Sequence, residues 1–472
     1  MVVLLFVLIF AAVLLVNTFR VCAKARKLEG QHPTFTEAEL EGYAKTFSRM
    51  LQPATVSVKD SYDDTEFVKL RAVVEEDFPL LHQKAERMIF GNDCWMYKIP
   101  GKDSSRNILL MSHHDVVAAD TDWTMPAFDG IIKDGKVYGR GAADTKGSLC
   151  AILFGMEQML KEGITPPVNV YIGSSHNEEL GGDGIPEALK YFQEQGIAFE
   201  VILDEGGAIV EPPLAGMQCD MCAMVAVHEK GRLKLNCTAK NESSHVSLTG
   251  FKGNPVERMA QFIQEVTTKN IFIRRLNPQT KAMFTSLAPY CSFPMKVLMS
   301  NLWLFGPILL KILPKMNATA GGMIGTTCNF QKIEGGTTEK VCTASVMLRN
   351  INEEDLTADY AAFKAVADKY GITLETERDE YYAPADMASP AYAYTMDCLA
   401  KVFPRFPAAP YILPAGTDAW RLTPVCDCVL RFAPTRMSKQ QLGSIHSADE
   451  NLDISAIAEA AAFYKYFVVN YK

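Results

Sequence analysis

Apolar runs alternate with amphipathic stretches over much of the first half of this 472-residue chain. Residues 107–111, 168–173 and 201–203 are short and mostly apolar, which is typical of buried strands. Residues 146–162 and 185–195 instead repeat their apolar positions with the period of a helix. This alternation predicts a largely parallel sheet flanked by helices, the arrangement of an α/β protein.

The pattern changes near Gly231 and changes back near residue 353. Between these points the sequence predicts strands at 232–239 and 341–348 and a helix at 254–267. The elements predicted for the last part are helix 353–369, strand 371–376, helix 390–402, strand 427–433 and helix 453–469. We therefore predict a catalytic domain in two parts, residues 30–229 and 353–472, with a smaller α+β lid or dimerisation domain, residues 230–352, inserted between them.

The first 19 residues carry no charged side chain and come close to the roughly 20 residues that span a bilayer. Basic residues follow the apolar segment rather than precede it: Arg20, Lys24, Arg26 and Lys27. This order favours a single N-terminal membrane anchor over a secretory signal, which begins with a basic region. Secretion after signal cleavage stays the alternative because residues 23–25 resemble a cleavage site. The side of the membrane that the enzyme faces stays open.

A second apolar stretch, residues 283–316, is interrupted by proline and glycine, so a membrane-spanning helix is not predicted there. A buried or dimer-facing segment is the simplest interpretation. A hydrophobic substrate wall or a membrane-contacting surface is the alternative.

Composition narrows the functional classes. The chain is 48% apolar and 22% charged, which is ordinary for a globular protein, and its length predicts two or more domains. A net charge of −8 without a basic stripe argues against a nucleic-acid partner. The twelve cysteines follow no disulfide spacing, and we interpret them as free thiols rather than as a structural zinc site.

Five residues in separate sequence strings have the chemistry of a metal site: His113, Asp144, Glu179, Asp204 and His446. Most of these strings follow an apolar run, so the side chains are expected at strand ends, where α/β proteins place their chemistry. Two imidazoles with three carboxylates suit zinc or a neighbouring first-row divalent ion better than calcium. Singly, each residue would more often be a helix cap or a surface charge, so the prediction depends on the whole set.

Two neighbouring pairs add detail to this site. His113 and Asp115 are two positions apart in a predicted strand and share a face, so Asp115 can support the imidazole. Glu178 and Glu179 are adjacent, and their side chains diverge. One can bind metal while the other removes a proton from water.

Taken together, the strings LLMSHHDVV, GRGAADTKGS, HNEELGG, ILDEGG and GTDA resemble the aminoacylase/ArgE/DapE/carboxypeptidase family of dinuclear zinc hydrolases, metallopeptidase family 20. Within it, the chain is most similar to the subgroup that holds carboxypeptidase S and the N-fatty-acyl-amino-acid synthase/hydrolase. The resemblance runs from about residue 35 to the C-terminus. It implies a zinc-exopeptidase-like α/β/α catalytic domain with an inserted lid or dimerisation domain, and two Zn²⁺ ions that Co²⁺ or Mn²⁺ could replace.

The resemblance also implies a role for each matching residue. One metal would be held by His113, Asp144 and Asp204, and the other by Asp144, Glu179 and His446. Glu178 would be the general base, Asp115 the supporting carboxylate and His245 an oxyanion-stabilising donor from the inserted domain. Arg349 would bind the substrate carboxylate, since guanidinium and carboxylate pair through two hydrogen bonds, and Thr417 and Asp418 would lie in a substrate-side loop. The chain departs from the family pattern at Asn177, Ser244, residues 335–341 and Asp449.

The expected activity is zinc-dependent hydrolysis of the amide of a small peptide or an N-acyl amino acid. The alternatives are an N-fatty-acyl-amino-acid synthase/hydrolase and a catalytically dead scaffold on a peptidase fold, although the complete ligand set argues against the scaffold. A serine hydrolase has no support because the chain lacks a GxSxG string.

Overall fold

The computed structural model describes residues 2–59, 61–119, 122–241, 254–316 and 318–472. Its strands, in chain order, are Glu86–Phe90 (β1), Cys94–Ile99 (β2), Asp103–His113 (β3), Ile131–Lys133 (β4), Lys136–Tyr138 (β5), Val168–Ser175 (β6), Val201–Asp204 (β7), Ile209–Val210 (β8), Cys222–Glu229 (β9), Arg232–Lys240 (β10), Thr327–Gly336 (β11), Val341–Arg349 (β12), Ile372–Glu380 (β13), Ala408–Leu413 (β14), Val429–Arg431 (β15), Arg436–Met437 (β16) and Asn451–Asp453 (β17).

The helices follow the predicted pattern closely. In chain order they are Val2–Cys22 (α1), Glu37–Leu51 (α2), Thr65–Asp77 (α3), Pro79–Lys84 (α4), Gly147–Lys161 (α5), Gly184–Glu194 (α6), Pro255–Thr268 (α7), Pro278–Leu287 (α8), Phe293–Ser300 (α9), Leu302–Met316 (α10), Ala318–Gly322 (α11), Leu356–Lys369 (α12), Pro390–Val402 (α13), Lys439–Ser444 (α14) and Ile454–Val469 (α15). Local sequence fixes several helix starts. Thr36 caps α2 in a reciprocal hydrogen-bonded box with Glu39, for example.

The larger sheet runs in the order β1-β2-β6-β3-β7-β15-β9-β8-β16, with β14 paired to β9. Strands β6, β3, β7 and β15 are parallel neighbours, and the outer strands β1 and β2 are antiparallel. Because β6 is buried along its whole length and β3 over its last seven residues, both faces of the sheet centre are covered. The expected α/β fold is confirmed.

Helices α5 and α15 pack against each other beside this sheet, and α2 covers both. A Cβ built on Gly155 of α5 would lie 2.8 Å from the carbonyl oxygen of Ala461 in α15. Glycine therefore sets how closely the two backbones approach. The core around them is apolar and continuous from α2 to the last helix.

A smaller antiparallel sheet has the order β11-β12-β10-β13. Alternate residues of β10 and β12 are buried, and a separate apolar core that includes Phe262 of α7 and Phe363 of α12 covers that face. Beyond the boundary expected at residue 352, β13 pairs with β10 of this sheet. We therefore propose that the inserted unit extends through Glu380.

Helix α1 is apolar and mostly exposed. Among the described residues it alone is long and apolar enough to cross a membrane. The pair α9 and α10, bent by 102°, adds a second, broken candidate. The length and composition of α1 are compatible with a membrane anchor or with a signal sequence. The twelve cysteines all lie within the described residues, and none of them forms a disulfide.

Candidate metal centre

The chemistry-bearing side chains gather at the carboxyl ends of three neighbouring parallel strands. His113 is the last residue of β3, and Asp204 is the last residue of β7. Glu178 and Glu179 lie in a short 3₁₀ turn just after β6. Because β6, β3 and β7 are adjacent and parallel, their ends open into one crevice, the usual site of chemistry in open α/β sheets.

The Asp144 carboxylate lies between the two histidines. Its Oδ1 is 3.2 Å from His113 Nε2, and its Oδ2 is 3.0 Å from His446 Nε2. His446 Nε2 is also 3.1 Å from Glu179 Oε1. Four of the five predicted ligands, which are 333 positions apart at the extremes, therefore meet at one carboxylate. Each of its oxygens faces a different imidazole, as two cations side by side would require.

The fifth predicted ligand, Asp204, is buried at the end of β7, close enough to His113 to interact with its charge. Its Oδ2 accepts a hydrogen bond of 3.1 Å from the Ala419 amide. The next residue, Glu205, takes the expected place, because its Oε1 lies 3.5 Å from His113 Nε2. The geometry therefore favours Glu205 over Asp204 as the third ligand beside His113 and Asp144. The sequence signal was present in the pair Asp204-Glu205, but spacing does not show which acid faces the crevice.

Asp115 connects two parts of the site. One of its oxygens lies 3.3 Å from His113 Nδ1, on the side of the ring away from Asp144. Its two oxygens also accept hydrogen bonds from the backbone amides of Glu178 and Glu179, at 3.1 and 3.2 Å. A single buried carboxylate thus orients the His113 ring and the turn that carries both glutamates.

Glu450 supports the turn beside the site, and the sequence reasoning missed it. This buried carboxylate accepts hydrogen bonds from the amides of Gly141, Ala143 and Asp144 at 2.8–3.1 Å and from Arg140 Nη1 at 2.6 Å. It therefore fixes the backbone that presents the Asp144 side chain. The available signal was an acidic residue four positions after His446, where a surface charge was equally plausible.

Burial and crowding shift the acid–base properties of these groups. Burial and the charge of Glu205 raise the pKa of Glu178 well above its usual value. Burial likewise raises the pKa of Glu205, and it raises that of Asp204 to about 6. Hydrogen bonds that His446 donates to the Asp144 and Glu179 carboxylates raise the pKa of His446 to about 10. So many acidic groups in a dry crevice suit divalent cations, which would compensate their charge.

The histidines and carboxylates present fit such ions. Sets of three ligand atoms lie close together at His113, Asp144 and Glu179 and at His113, Glu178 and Glu205. Imidazole nitrogen with carboxylate oxygen is the mixture that catalytic zinc sites use. His446 is half-exposed, so the cluster opens to solvent on its side.

The predicted substrate-side residues differ from one another in their surroundings. Thr417 Oγ1 donates to Glu229 at 3.2 Å, and Asp418 is buried between Ser175 Oγ and Arg421 Nη1, both at 2.6 Å. Both side chains are thus hydrogen-bonded within the protein, where they hold the loop that carries them. His245 lies outside the described residues.

Arg349 ends β12 and faces a second cation. Its Nη1 donates to the Lys230 carbonyl at 3.3 Å, and burial together with the charge of Arg232 lowers its pKa. Arg232 in turn passes so close to Gly416 that a Cβ there would lie 2.0 Å from its Nη2. The buried Glu229 carboxylate interacts with both guanidinium groups and offsets part of their charge. Paired guanidinium groups are the residue type that binds an anionic ligand.

Comparison with known proteins matches this chain to one family of peptidases. The model of the peptidase family M20/M25/M40 matches residues 109–470. The probable carboxypeptidase S-like 2 of Dictyostelium discoideum is 29% identical over 97% of this chain and 91% of that protein. An N-fatty-acyl-amino acid synthase/hydrolase of Xenopus tropicalis is 27% identical over 98% of this chain and 93% of that protein.

Solved structures share the fold. A family M20 metallo-carboxypeptidase of Sulfolobus solfataricus has a TM-score of 0.64 at 17% identity, covering 90% of this chain and 98% of its own. A dinuclear metal-binding M20 peptidase of Bacillus subtilis has a TM-score of 0.58 at 11% identity, covering 92% and 98%. At these identities the likeness concerns the fold alone.

Proposed function

We propose that this chain, which belongs to the peptidase family M20/M25/M40, is a metallohydrolase. It would cleave the amide between an amino acid and a peptidyl or acyl group. The observation that carries the proposal is the position of Asp144, with one oxygen toward His113 and the other toward His446. No mononuclear site needs a carboxylate shared in this way. The scaffold alternative lacks support, because the candidate ligands and the base are all retained.

We assign one metal to His113, Asp144 and Glu205, the last in place of the predicted Asp204. The other is assigned to Asp144, Glu179 and His446. Zinc is the proposed native ion, with Co²⁺ or Mn²⁺ as substitutes. Two such ions would supply Lewis acidity toward an amide carbonyl and would increase the acidity of an attacking water.

The protein side chains then do the proton transfers. Glu178 lies in the same crevice, and its raised pKa suits a group that takes a proton and gives it back. It would accept the proton of the attacking water and deliver it to the nitrogen of the leaving amine. His245 is the proposed donor to the developing oxyanion.

The substrate would carry a free carboxylate. Arg349 is the proposed partner for that group, with Arg232 beside it, while Thr417 and Asp418 hold the neighbouring loop. Small peptides and N-acyl amino acids both meet this requirement. The relative named as an N-fatty-acyl-amino acid synthase/hydrolase favours the acyl substrate as a second candidate, in which the reaction could also run toward condensation.

The test replaces the base and keeps the ligands. Glu178→Gln should lower kcat by roughly 10²–10⁴-fold with two metal ions per chain still bound by elemental analysis. Glu187→Gln is the matched control, because Glu187 lies on α6 and accepts the Gly91 amide away from the cluster. Substrates compared are a blocked dipeptide and a long-chain N-acyl amino acid. Normal turnover of Glu178→Gln, or a wild-type protein that binds no metal, would refute the proposal.

Assembly and location complete the proposal. We propose a homodimer through the inserted unit and attachment to a membrane through α1, with secretion after cleavage as the alternative. Mass measurement of the purified protein in solution tests the first, and fractionation of expressing cells tests the second.

A further inference from the structure

Helix α1 has a specific docking site on the rest of the chain. Leu14, Asn17, Thr18 and Val21 fall at helical spacing and form its less exposed side. Asn17 Nδ2 donates to the Ser300 carbonyl at 2.6 Å and to Asn301 Oδ1 at 3.1 Å. These contacts join the N-terminal helix to the junction of α9 and α10, more than 280 positions away.

Asn301 is the centre of this junction. The side chain is fully buried, and its Nδ2 donates to Thr18 Oγ1 at 3.1 Å and to the carbonyl of Val297 at 2.8 Å. Its Oδ1 also accepts from the Trp303 indole at 3.3 Å, and the Trp303 ring meets Phe10 edge-on. Buried amide pairs of this kind fix helix register where water is excluded. A segment removed by a signal peptidase would have no use for such a site.

Helix α10 presents its apolar side to the outside. Its buried side is formed by Gly306, Leu309 and Leu313, while its exposed side carries an apolar row: Trp303, Ile308, Ile312 and Met316. Trp303 is 58% exposed and Ile308 51%. A helix that faces water normally has polar residues on that side. The α10 face is continuous with α1, whose outer side is apolar along its length.

The charges in the sequence segments that carry these helices are one-sided. Residues 1–28 and 266–333 contain no Asp or Glu, although the whole chain carries a net charge of −8. The same two stretches hold four and eight basic residues, among them Lys311 and Lys315 on the exposed side of α10. Lysine beside an exposed apolar row is the composition of helices that lie in an anionic membrane surface.

We propose that α1 is retained and that α1, α9 and α10 form one membrane-binding element, with the α10 face lying in the headgroup region of an anionic phospholipid leaflet. The bilayer accounts for the exposed apolar row, the tryptophan and the basic surroundings together. A second copy of the chain would bring the same lysines face to face. The enzyme would thus be held against the membrane at two places rather than suspended from α1 alone.

The test uses the full-length chain in vesicles of phosphatidylcholine and phosphatidylglycerol. Trp303→Phe provides a background in which a single tryptophan is added at Ile308 or, as control, at Ile132 of β4, which is equally exposed at 51%. The emission of the added tryptophan is the difference from the background protein. Its quenching by brominated lipid and by aqueous acrylamide is then measured. Ile308→Trp should favour brominated lipid several-fold over acrylamide, and Ile132→Trp should show the reverse.

Three outcomes would overturn the proposal. One is an Ile308→Trp signal that acrylamide quenches as it does the control, because the face would then be in water. Another is a signal shielded from both quenchers together with cross-links between chains, which would make the face a dimer contact. The third is an intact mass of the membrane-bound protein that lacks residues 1–22, because α1 would then be a signal.

Discussion

Glu205 Oε1 lies 3.5 Å from His113 Nε2, although the preceding residue, Asp204, is the one at the end of the strand. The strand ends at Asp204, and the backbone then turns into Gly206 with a φ of +106°. This turn directs Glu205 into the crevice and leaves Asp204 facing the Ala419 amide. The identity of the third ligand therefore depends on one residue of backbone direction.

We expect Glu205→Gln and Asp204→Asn to separate these roles. Glu205→Gln removes a charged ligand atom beside His113, so the protein should retain about one metal ion instead of two. Asp204→Asn should keep both ions. Elemental analysis after dialysis against a weak chelator measures the ratio. The reverse pattern would restore Asp204 as the ligand.

Asp115→Asn should weaken metal binding without removing a ligand. An amide cannot accept both backbone hydrogen bonds from Glu178 and Glu179, and it no longer pairs with His113 as a charge. We expect metal affinity to fall roughly 10–100-fold, as for other supporting carboxylates. Asp93→Asn is the matched control, because Asp93 is also buried beside a histidine but faces His114 and Trp95. Equal losses in the two variants would contradict a supporting role for Asp115.

Arg349→Ala should affect substrates by their charge. A hydrogen bond to a charged group contributes about 1.5–3 kcal/mol, so KM for a substrate with a free carboxylate should rise roughly 10–100-fold. The corresponding carboxamide should bind with unchanged KM. Arg275→Ala serves as control, because Arg275 pairs with Glu354 and Asp355 on the same unit. A similar rise in KM for both substrates would exclude carboxylate recognition.

His228 predicts a pH-dependent stability. Burial lowers its pKa from 6.5 to about 4, partly opposed by the Tyr382 carbonyl 2.8 Å from Nε2. The unfolded state binds the proton more readily, so this contribution is present above pH 6.5 and is lost as the pH falls toward 4. Between neutral pH and about pH 5, the loss in free energy of unfolding is about 2 kcal/mol.

Urea unfolding of the wild type and of His228→Gln measures this contribution. Glutamine can still donate to Tyr382 but does not titrate in this range. The variant should lose less stability on acidification by about the amount given. Parallel losses in the two proteins would show that other groups account for the acid sensitivity.

Two helical glycines should respond oppositely to alanine. Gly42 in α2 has no atom within 4 Å of its added Cβ, so Gly42→Ala should stabilise by roughly 0.5–1 kcal/mol. Gly155→Ala would bring Cβ to 2.8 Å from the Ala461 carbonyl and should destabilise by about 1–3 kcal/mol. Thermal unfolding of the two variants measures the sign of each change in stability. A stabilising Gly155→Ala would mean that α5 and α15 separate easily.

The local pattern of apolar and polar residues was sufficient to predict most helices and strands of the catalytic domain. Helix α13 occupies 390–402, as predicted, since Ser389 caps it and Pro390 begins it. Strands β3, β6 and β7 are apolar runs, and His113 and Asp204 were correctly expected at strand ends. That Asp144 joins His113 in one site was predicted from the whole set of strings and from the family resemblance. The partners of β13 could not be predicted, because an amphipathic strand does not encode which of two sheets it joins.

The features that could not be predicted depend on contacts between segments that are far apart in the sequence. The role of Glu450 depends on a turn more than 300 positions earlier, and the orientation of α10 depends on the docking of α1. Residues 283–316 were interpreted as a buried segment or a membrane-contacting surface. In the structure one side of α10 is buried and the other exposed, and this division is visible only once α1 and α9 are in place.

The hydrogen bonds that Glu450 accepts from the turn carrying Asp144 also bear on biosynthesis. The loop that presents the shared carboxylate is completed by residues made some 300 codons later, along with His446. A nascent chain that has not yet reached residue 450 therefore cannot assemble this site, even if its β-sheet has already formed. Hydrolytic capability would therefore begin only after translation passes residue 450.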